Sequence, residues 1–161
     1  MSFFCRARTA TFTLTNSVPE DACFNRIVWF HEETALKIRM EERCAFSGAN
    51  RFVIAGAVPS EAIFIPQRDL VVEDQDDRVP ERVNVPSYVW RASCCDASDS
   101  RDPNAKSFFH GVIGENRAGG SLEEFTDMAS LTRRLEGLYN YNTSLTILAD
   151  ACQSSTADVI G

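Results

Sequence analysis

Histidine is scarce in this chain of 161 residues, which contains only His31 and His110. No C-x-x-C pair accompanies them, so the residue types that form most zinc sites are largely missing. Long hydrophobic runs are also absent, and a stretch such as Ala62 to Ile65 is far shorter than the roughly 20 apolar residues that span a bilayer. These absences argue against a histidine-rich metal centre and predict no membrane partner.

Basic residues are outnumbered, with 16 Lys and Arg against 23 Asp and Glu and a net charge of -7. This balance disfavours nucleic acid as a partner, because Lys and Arg normally neutralise phosphate, and by itself it favours a protein or a small molecule. A local basic groove or a divalent metal can still supply positive charge at a scissile phosphate. Hydrophobic residues make up 44% and charged residues 24% of the chain. These values are typical of a globular protein, and we predict a single domain over residues 1–161.

Cysteine is more frequent than a cytosolic domain requires, and the number of cysteines is even. The six are Cys5, Cys23, Cys44, Cys94, Cys95 and Cys152. A disulfide framework in an oxidising compartment is therefore predicted, although the sequence does not assign the pairs. The opening residues do not form a signal peptide. The secreted interpretation thus implies that Met1 is not the natural start, and the alternative is a cytosolic protein with free thiols.

Residue periodicity predicts an α+β fold with a mainly antiparallel sheet. Alternation of Thr with apolar residues predicts a strand from Thr9 to Thr15, and Asp21 is a candidate helix cap. A long helix is predicted from Phe24 to Arg43. The stripe expected to pack consists of Ile27, Val28, His31, Ala35 and Ile38.

Five further strands, one loop and a second helix are predicted in the rest of the chain. The strands are Arg51 to Val58, Ala62 to Pro66, Arg82 to Cys95 with a kink at Pro86, Ser107 to Glu115, and Leu145 to Leu148. The helix runs from Ser130, as its cap, to Leu138. The acidic stretch from Asp69 to Glu81 is predicted to be a solvated loop.

One set of residues on the long helix has the chemistry of a metal site. Asn25, Trp29 and Glu33 are four residues apart, so they form one slowly drifting stripe on a helix. An amide oxygen and a carboxylate suit Mg²⁺, which prefers oxygen ligands and takes only one or two from protein. The alternative is that Asn25 is a first-turn residue, Trp29 is core and Glu33 faces solvent.

The same segment resembles the metal-site helix of the DNA/RNA non-specific endonuclease family. In that family an Asn-containing turn and a Pro precede the pattern Asn-x-x-x-Trp-x-x-x-Glu, and here these residues stand as Asn16, Pro19, Asn25, Trp29 and Glu33. The resemblance implies the ββα-metal fold, Mg²⁺ as the cofactor, and DNA and RNA as partners. It also implies that Asn25 binds the metal and that Glu33, as the catalytic residue, holds the water shell of the metal.

Two substrate-binding residues and two strand motifs follow from the resemblance. Asn16 is expected beside the site. Arg26 flanks the proposed site in the sequence and is expected to contact phosphate, with a plain surface position as the alternative. The stretch from Phe52 to Pro59 is similar to the central strand of the family, with Ala55 in place of its usual Thr, and the stretch from Val83 to Trp90 is similar to its Ile-Pro strand. The adjacent cysteines and a late cysteine resemble the vertebrate-type endonuclease domain-containing branch, which is disulfide-bonded and secreted.

The chain departs from the family pattern at the general base. The family uses a His in an Asp-Arg-Gly-His motif to activate water, and neither His31 nor His110 lies in such a motif. We expect the motif upstream of Met1, His31 to be a packing or surface residue, and His110 to be an exposed strand residue. The sequence thus predicts an N-terminally truncated nuclease domain that is inactive as given. The alternative is a non-catalytic secreted binding protein on a degenerate nuclease fold, and the oligomeric state stays open.

Overall fold

The computed structural model describes residues 17–65, 83–140, 144–148 and 152. The predicted strand from Thr9 to Thr15, the acidic loop from Asp69 to Glu81, and Asn16 lie outside these ranges. Within them the chain has an α+β fold with antiparallel strands, as predicted.

The described elements are one long helical run, six strands and a second helix. The helical run is a π-helix, Phe24–Trp29, that continues as helix α1, Phe30–Arg43. The strands are β1 (Asn50–Val58), β2 (Phe64–Ile65), β3 (Val83–Asn84), β4 (Tyr88–Asp96), β5 (Phe108–Glu115) and β6 (Leu122–Phe125), and helix α2 is Met128–Tyr139.

Four strands form the main sheet in the order β1-β4-β5-β6, with each neighbouring pair antiparallel. Strands β2 and β3 form a separate two-stranded sheet. In the main sheet Gly56 lies opposite Trp90 and Ser93 lies opposite His110. This register places β4 and β5 in the centre and leaves β1 and β6 at the two edges of the described sheet.

The sheet is the middle of three layers, because successive residues of a strand point to opposite faces. On one face the first helix packs through two apolar clusters, one around Phe24 and Trp29 and the other around Leu36 and Met40. On the other face Leu131 and Leu135 of α2 are fully buried against the sheet. Strands β4 and β5 are buried almost continuously, so each contributes side chains to a core on both faces of the sheet.

The bounds predicted for the first helix are confirmed. Its predicted packing stripe is right only in part, since Val28 packs beside Phe24 and Trp29 and Ala35 is half-buried. Ile27, His31 and Ile38 are exposed, whereas the residues that face the sheet are Phe24, Trp29, Glu32, Leu36 and Met40. The true stripe includes the carboxylate Glu32, which an apolar pattern search passes over. No helix within the described ranges is long and apolar enough to cross a membrane.

Two predictions for the second half of the chain are corrected, and one strand was missed. Helix α2 begins at Met128, and its cap is Asp127 rather than Ser130, since the Asp127 side chain accepts a hydrogen bond from the Ser130 backbone N–H at 2.8 Å. Residues 144–148 do not form a strand, and Leu148 has a positive φ of 55°. Strand β6 was not predicted, because its two adjacent Glu residues hide the alternation.

The adjacent cysteines of β4 connect the sheet to opposite layers. Cys95 points toward the first helix and pairs with Cys44, at a Cα–Cα distance of 5.8 Å. Cys94 points the other way and pairs with Cys152, at 6.1 Å. The predicted disulfide framework is therefore present for these four residues. Cys23 is a free, exposed thiol and Cys5 lies outside the described residues.

Gly56 of β1 makes room for the ring of Trp90 on the neighbouring strand β4. A Cβ atom there would lie 2.5 Å from the Trp90 ring. The indole N–H of Trp90 donates to the Tyr139 hydroxyl at 2.9 Å, and that hydroxyl donates to the Ala57 carbonyl at 2.9 Å. The absence of a side chain at Gly56 thus leaves room for the indole that donates to the Tyr139 hydroxyl.

Candidate functional site

The start of the first helix is attached to one end of the main sheet. The Asp21 carboxylate accepts hydrogen bonds from the backbone N–H groups of Cys23 and Phe24, both at 2.9 Å, so Asp21 acts as the predicted cap. The Asp21 backbone N–H donates to the side-chain oxygen of Asn116 at 2.7 Å. The Asn116 amide also donates to the carbonyls of Pro19 and Pro86, at 3.0 and 2.9 Å. One side chain thus joins the segment before the helix to the ends of β4 and β5.

The first turn of this helix is a π-helix, a rare form that is frequent at functional sites. Its i→i+5 hydrogen bonding brings residues five apart over one another, and the rings of Phe24 and Trp29 stack with centroids 5.8 Å apart. Both rings are buried. Gly114 of β5 makes room for Phe24, since a Cβ there would lie 2.5 Å from the Phe24 ring. The π turn is therefore held by packing against the sheet.

The π turn also aligns Asn25 with Glu33, the two residues expected to serve the metal. Two α-helical turns contain about 7.2 residues, and replacing one of them with a wider π turn adds roughly one residue. The total is close to the eight positions between Asn25 and Glu33. In a regular α-helix the stripe would drift, whereas this count is expected to return the two residues to the same side of the helix. Both side chains are exposed, as is that of Arg26.

Glu20 is a second carboxylate close to Glu33, and it lies outside the Asn-x-x-x-Trp-x-x-x-Glu pattern. Burial raises the pKa of Glu20, and the charge of the Glu33 carboxylate raises it further. One oxygen of Glu20 is buried and accepts no hydrogen bond from the described residues. Glu20 and Glu33 therefore place two carboxylates close together at this end of the helix, with the positive charge of Arg91 acting on Glu33 from the sheet.

A buried ion pair lies beneath this end of the helix. The Arg91 guanidinium of β4 donates from Nη2 to Glu32 Oε1 at 2.9 Å and to the Glu32 backbone carbonyl at 3.2 Å. It also lies 5.2 Å from the centre of the Trp29 ring. Burial lowers the pKa of Arg91, while the Glu32 carboxylate opposes this shift. Arg91 thus contacts both Trp29 and Glu32 and fixes the turn that precedes Glu33.

His110 is buried beside this ion pair, so the prediction of an exposed strand residue is wrong. Its ring Nε2 lies 3.2 Å from the Glu124 carboxylate and its Nδ1 lies 3.7 Å from Glu32 Oε1. Burial lowers the pKa of His110, and the positive charge of Arg39 lowers it further. The side chain is only 2% exposed, because β5 is a central strand covered by the first helix. A ring in this position cannot reach a water molecule at an exposed phosphate.

His31 is exposed, which fits the predicted surface alternative. It lies two positions before Glu33, and residues two apart point to nearly opposite sides of a helix. Its ring makes an edge contact with that of Phe30, at a centroid distance of 6.0 Å. The two histidines of the chain are therefore both directed away from the side that carries Asn25 and Glu33.

The arrangement fits a hard divalent cation with few protein ligands. Within the described ranges no group of three or more His, Cys, Asp or Glu side chains is placed to hold a metal ion. Mg²⁺ retains several waters and takes one or two protein oxygens, so a site made by Asn25 and Glu33 satisfies its chemistry without such a group. Asn16 lies outside the described residues.

The sequence contains one signal for the buried Arg91–Glu32 pair. Arg91 stands alone as a charged residue within the otherwise uncharged stretch of residues 86–95. An Arg inside a central strand is almost never buried without a partner. A search for an acidic residue on the packed face of the helix would have found Glu32.

Comparison with known proteins gives two partial sequence matches. The chain is 32% identical over 88 residues to the human endonuclease domain-containing 1 protein. These aligned residues make up 55% of this chain and 14% of the human protein. It is 35% identical over 86 residues to the mouse protein of the same name, and these residues make up 53% of this chain and 14% of the mouse protein. No known family profile and no solved structure matches the chain. The matches therefore support a nuclease-like family over about half of the chain.

Proposed function

We propose that this chain carries the metal-site part of a divalent-metal-dependent endonuclease domain that acts on phosphodiester bonds of DNA and RNA. The observation that supports the proposal is the π turn from Phe24 to Trp29, whose residue count is expected to bring the exposed Asn25 and Glu33 to one side of the helix. The similarity to proteins named for an endonuclease domain supports the same class of substrate.

The proposed roles follow from the chemistry of the side chains. Asn25 offers a neutral amide oxygen to the metal, and Glu33 accepts hydrogen bonds from waters of its shell. Arg26 is exposed next to Asn25 and donates to a phosphate oxygen, and Asn16 is assigned to substrate binding beside it. When bound, Mg²⁺ neutralises charge on the phosphate and the leaving oxygen. The Arg91–Glu32 pair keeps the helix turn in place while the exposed groups bind.

The proposed reaction needs a general base, and neither histidine of this sequence is placed to act as one. His110 is buried between Glu32 and Glu124, and His31 points away from Glu33. A base must lie within hydrogen-bond reach of the attacking water. We therefore propose that these 161 residues bind Mg²⁺ and nucleic acid without turning substrate over by themselves.

A second function is favoured by the same histidine placement together with the net charge of -7. In this alternative the chain is a secreted binding protein that has kept the nuclease fold without its chemistry. The disulfides between buried cysteines support an oxidising, extracellular environment for either function. The two functions differ in metal binding, because a degenerate site has no requirement for Asn25 and Glu33.

The first test is metal binding by the full chain, measured with Mn²⁺ by electron paramagnetic resonance and with Mg²⁺ by competition. We expect Asn25→Ala and Glu33→Gln each to weaken Mn²⁺ binding at least tenfold, a loss of about 1.4 kcal/mol. Glu42→Gln is the matched control, since Glu42 is exposed on the same helix away from the site. Equal Mn²⁺ affinity in all four proteins would reject the metal site and favour the binding protein.

The second test is nicking of plasmid DNA and degradation of RNA with Mg²⁺ or with EDTA. We expect no cleavage by the folded chain, alongside retained Mn²⁺ binding. Cleavage that requires Mg²⁺ and is lost in Asn25→Ala would support the metal site but overturn the assignment of the two histidines. His31→Gln would then be assayed first, because His31 is the exposed histidine.

A further inference from the structure

The outward side of the first helix carries an exposed aromatic ring. Among the Phe, Tyr and Trp residues that the structure describes, only Phe30 is exposed, and 57% of it is accessible. Its ring makes an edge contact with that of His31 and belongs to none of the apolar clusters of the described residues. An exposed ring forgoes the stabilisation that burial of a Phe side chain gives. The packing of the described residues therefore does not explain why a Phe stands at this position.

Phe30 lies on the helix surface next to both residues assigned to the metal. Its backbone N–H donates to the Asn25 carbonyl, which is the i→i+5 bond of a π turn, so Phe30 stands one turn after Asn25. Glu33 follows Phe30 by three positions, and residues three apart are neighbours on an α-helix. A group bound at Asn25 and Glu33 would therefore have the Phe30 ring beside it.

Two exposed cations lie on the same side of the helix as Phe30. Arg26 precedes it by four positions, within the turn before, and Lys37 follows it by seven positions, or two turns. The side chain of Lys37 is 74% exposed, and its contact with the Glu41 carboxylate at 3.9 Å is an exposed ion pair of the kind that contributes little. A rise of about 1.5 Å per residue puts Lys37 roughly 10 Å beyond the ring. A ring flanked by two exposed cations suits a ligand that combines negative charge with a flat apolar face.

We propose that Phe30 stacks against a base of single-stranded DNA or RNA whose phosphates contact Arg26 and Lys37. This assignment rests on the proposed function and adds to it an unpaired strand as the substrate class. Every base has a π face, so stacking on an aromatic ring binds a strand with little regard to its sequence. The bases of a duplex are already stacked on one another, and stacking on protein side chains therefore selects single strands, loops and ends. A base on Phe30 would bring the adjoining phosphate toward the metal held by Asn25 and Glu33.

An apolar protein partner is a less suitable occupant of this side of the helix. Ile27 and Ile38 are the other large apolar side chains exposed on the helix. Polar residues lie between them, among them His31, Thr34 and Lys37. A stable protein interface has a fully buried apolar centre from which charged residues are depleted. The outward side of the helix lacks such a centre, whereas a ring between two cations matches the bases and phosphates of a strand.

Fluorescence anisotropy of a short, fluorescein-labelled strand of deoxyadenosine, titrated with the full chain in Mg²⁺, tests the stacking. We expect Phe30→Ala to weaken binding about fivefold or more, the loss that follows removal of one base–aromatic stack. Phe30→Leu keeps apolar bulk without a ring and should resemble Phe30→Ala, whereas Phe30→Trp should bind at least as tightly as the parent. Ile38→Ala is the matched control, because it removes an exposed apolar side chain from the same helix, and should change nothing.

A strand of the same length without bases separates stacking from the phosphate contacts. The parent and Phe30→Ala should bind this abasic strand equally, and Lys37→Gln should weaken the binding of both strands alike. Equal affinity of the parent for the two strands would overturn the stacking, as would equal affinity of Phe30→Ala and the parent for the strand with bases. Tighter binding of the duplex than of the single strand would overturn the substrate class.

Mn²⁺ binding, measured on the same proteins, distinguishes failure of the stacking from failure of the proposed function. Phe30→Ala should bind Mn²⁺ as the parent does, because the Phe side chain offers no metal ligand. Binding of Mn²⁺ and of strands that does not depend on Phe30 would remove the stacking and keep the proposed function. Strand binding that depends on Phe30 in a chain without affinity for Mn²⁺ would support the stacking and reject the metal site. A parent that binds no strand would overturn both, and self-association lost in Phe30→Ala would identify a second copy as the occupant and overturn the stacking.

Discussion

Arg91 and Glu32 join the central sheet to the first helix through a hydrogen-bonded ion pair of 2.9 Å in which both side chains are more than nine-tenths buried. Arg91 reaches the Glu32 backbone carbonyl as well, and its guanidinium faces the Trp29 ring. The pair lies between the apolar cluster around Phe24 and the one around Leu36. It therefore determines which turn of the helix lies over which residue of β4.

Removing one partner of this pair is expected to destabilise the fold strongly. Arg91→Met leaves Glu32 charged and buried without its partner, and such changes cost about 3–5 kcal/mol. The double variant Arg91→Met/Glu32→Leu leaves no buried charge from the pair and should recover most of that loss. Urea denaturation of the three proteins measures the effect. A single variant within about 0.5 kcal/mol of the parent would show that water enters the pair.

The stability of the protein is expected to depend on the titration of His110. Its pKa in the folded state is lowered from the ordinary 6.5, mainly by burial, so the unfolded chain binds the proton more readily. Stability is therefore fully present above the unfolded value and is lost as the pH falls through 6.5 toward the lowered folded pKa. Glu32, Glu124 and Arg39 are the charged groups that act on the ring.

The pH dependence is measured by urea denaturation between about pH 7.5 and 5.5, above the range in which most carboxylates titrate. His110→Gln should flatten the dependence in this window. His31→Gln is the control, because His31 is exposed, and should leave the slope unchanged. An unchanged slope in His110→Gln would show that another group carries the pH dependence.

Loss of the Cys44–Cys95 disulfide is expected to lower the free energy of unfolding by about 2–4 kcal/mol. The bridge closes a loop of 51 positions and attaches the end of the first helix to β4. The double variant Cys44→Ser/Cys95→Ser is compared with Cys23→Ser, whose thiol is free and exposed. Thermal or urea denaturation should separate the two, with the Cys23 variant close to the parent. Equal stability of all three proteins would contradict a structural role for the bridge.

Filling the space at Gly114 is expected to disturb the π turn. The added Cβ of Gly114→Ala would lie 2.5 Å from the Phe24 ring, and overpacking of this kind costs about 1–3 kcal/mol. Because Phe24 stacks on Trp29 within the π turn, the variant should also weaken Mn²⁺ binding at Asn25.

Gly137→Ala is the matched control, since nothing lies within 4 Å of a Cβ there. In the interior of α2 it should stabilise by about 0.5–1 kcal/mol. Mn²⁺ affinity equal to that of the parent in Gly114→Ala would show that metal binding does not depend on the π turn.

The local sequence pattern determined the α+β class, the bounds of the first helix, the extent of β1 and β5, and the motif that contains Asn25 and Glu33. These features depend on neighbours along the chain, such as the Asp21 cap and the run of apolar residues in β1. Tertiary structure alone decided the face on which the first helix packs. That choice depends on Arg91, which is 59 positions away from Glu32 in the chain and satisfies its buried charge.

The same distinction explains the other corrections. His110 is buried because β6 and the first helix cover β5 on two sides, and neither contact is visible in its local sequence. The two bridges of the adjacent cysteines follow from the pleat of β4, which directs Cys94 and Cys95 to opposite layers once the layers exist. A cysteine count indicates that bridges form, but only packing brings the partners within bonding distance. Sequence by itself thus determined which residues carry the candidate chemistry, and tertiary structure decided which of them face solvent, because burial is set by contacts between segments distant in the chain.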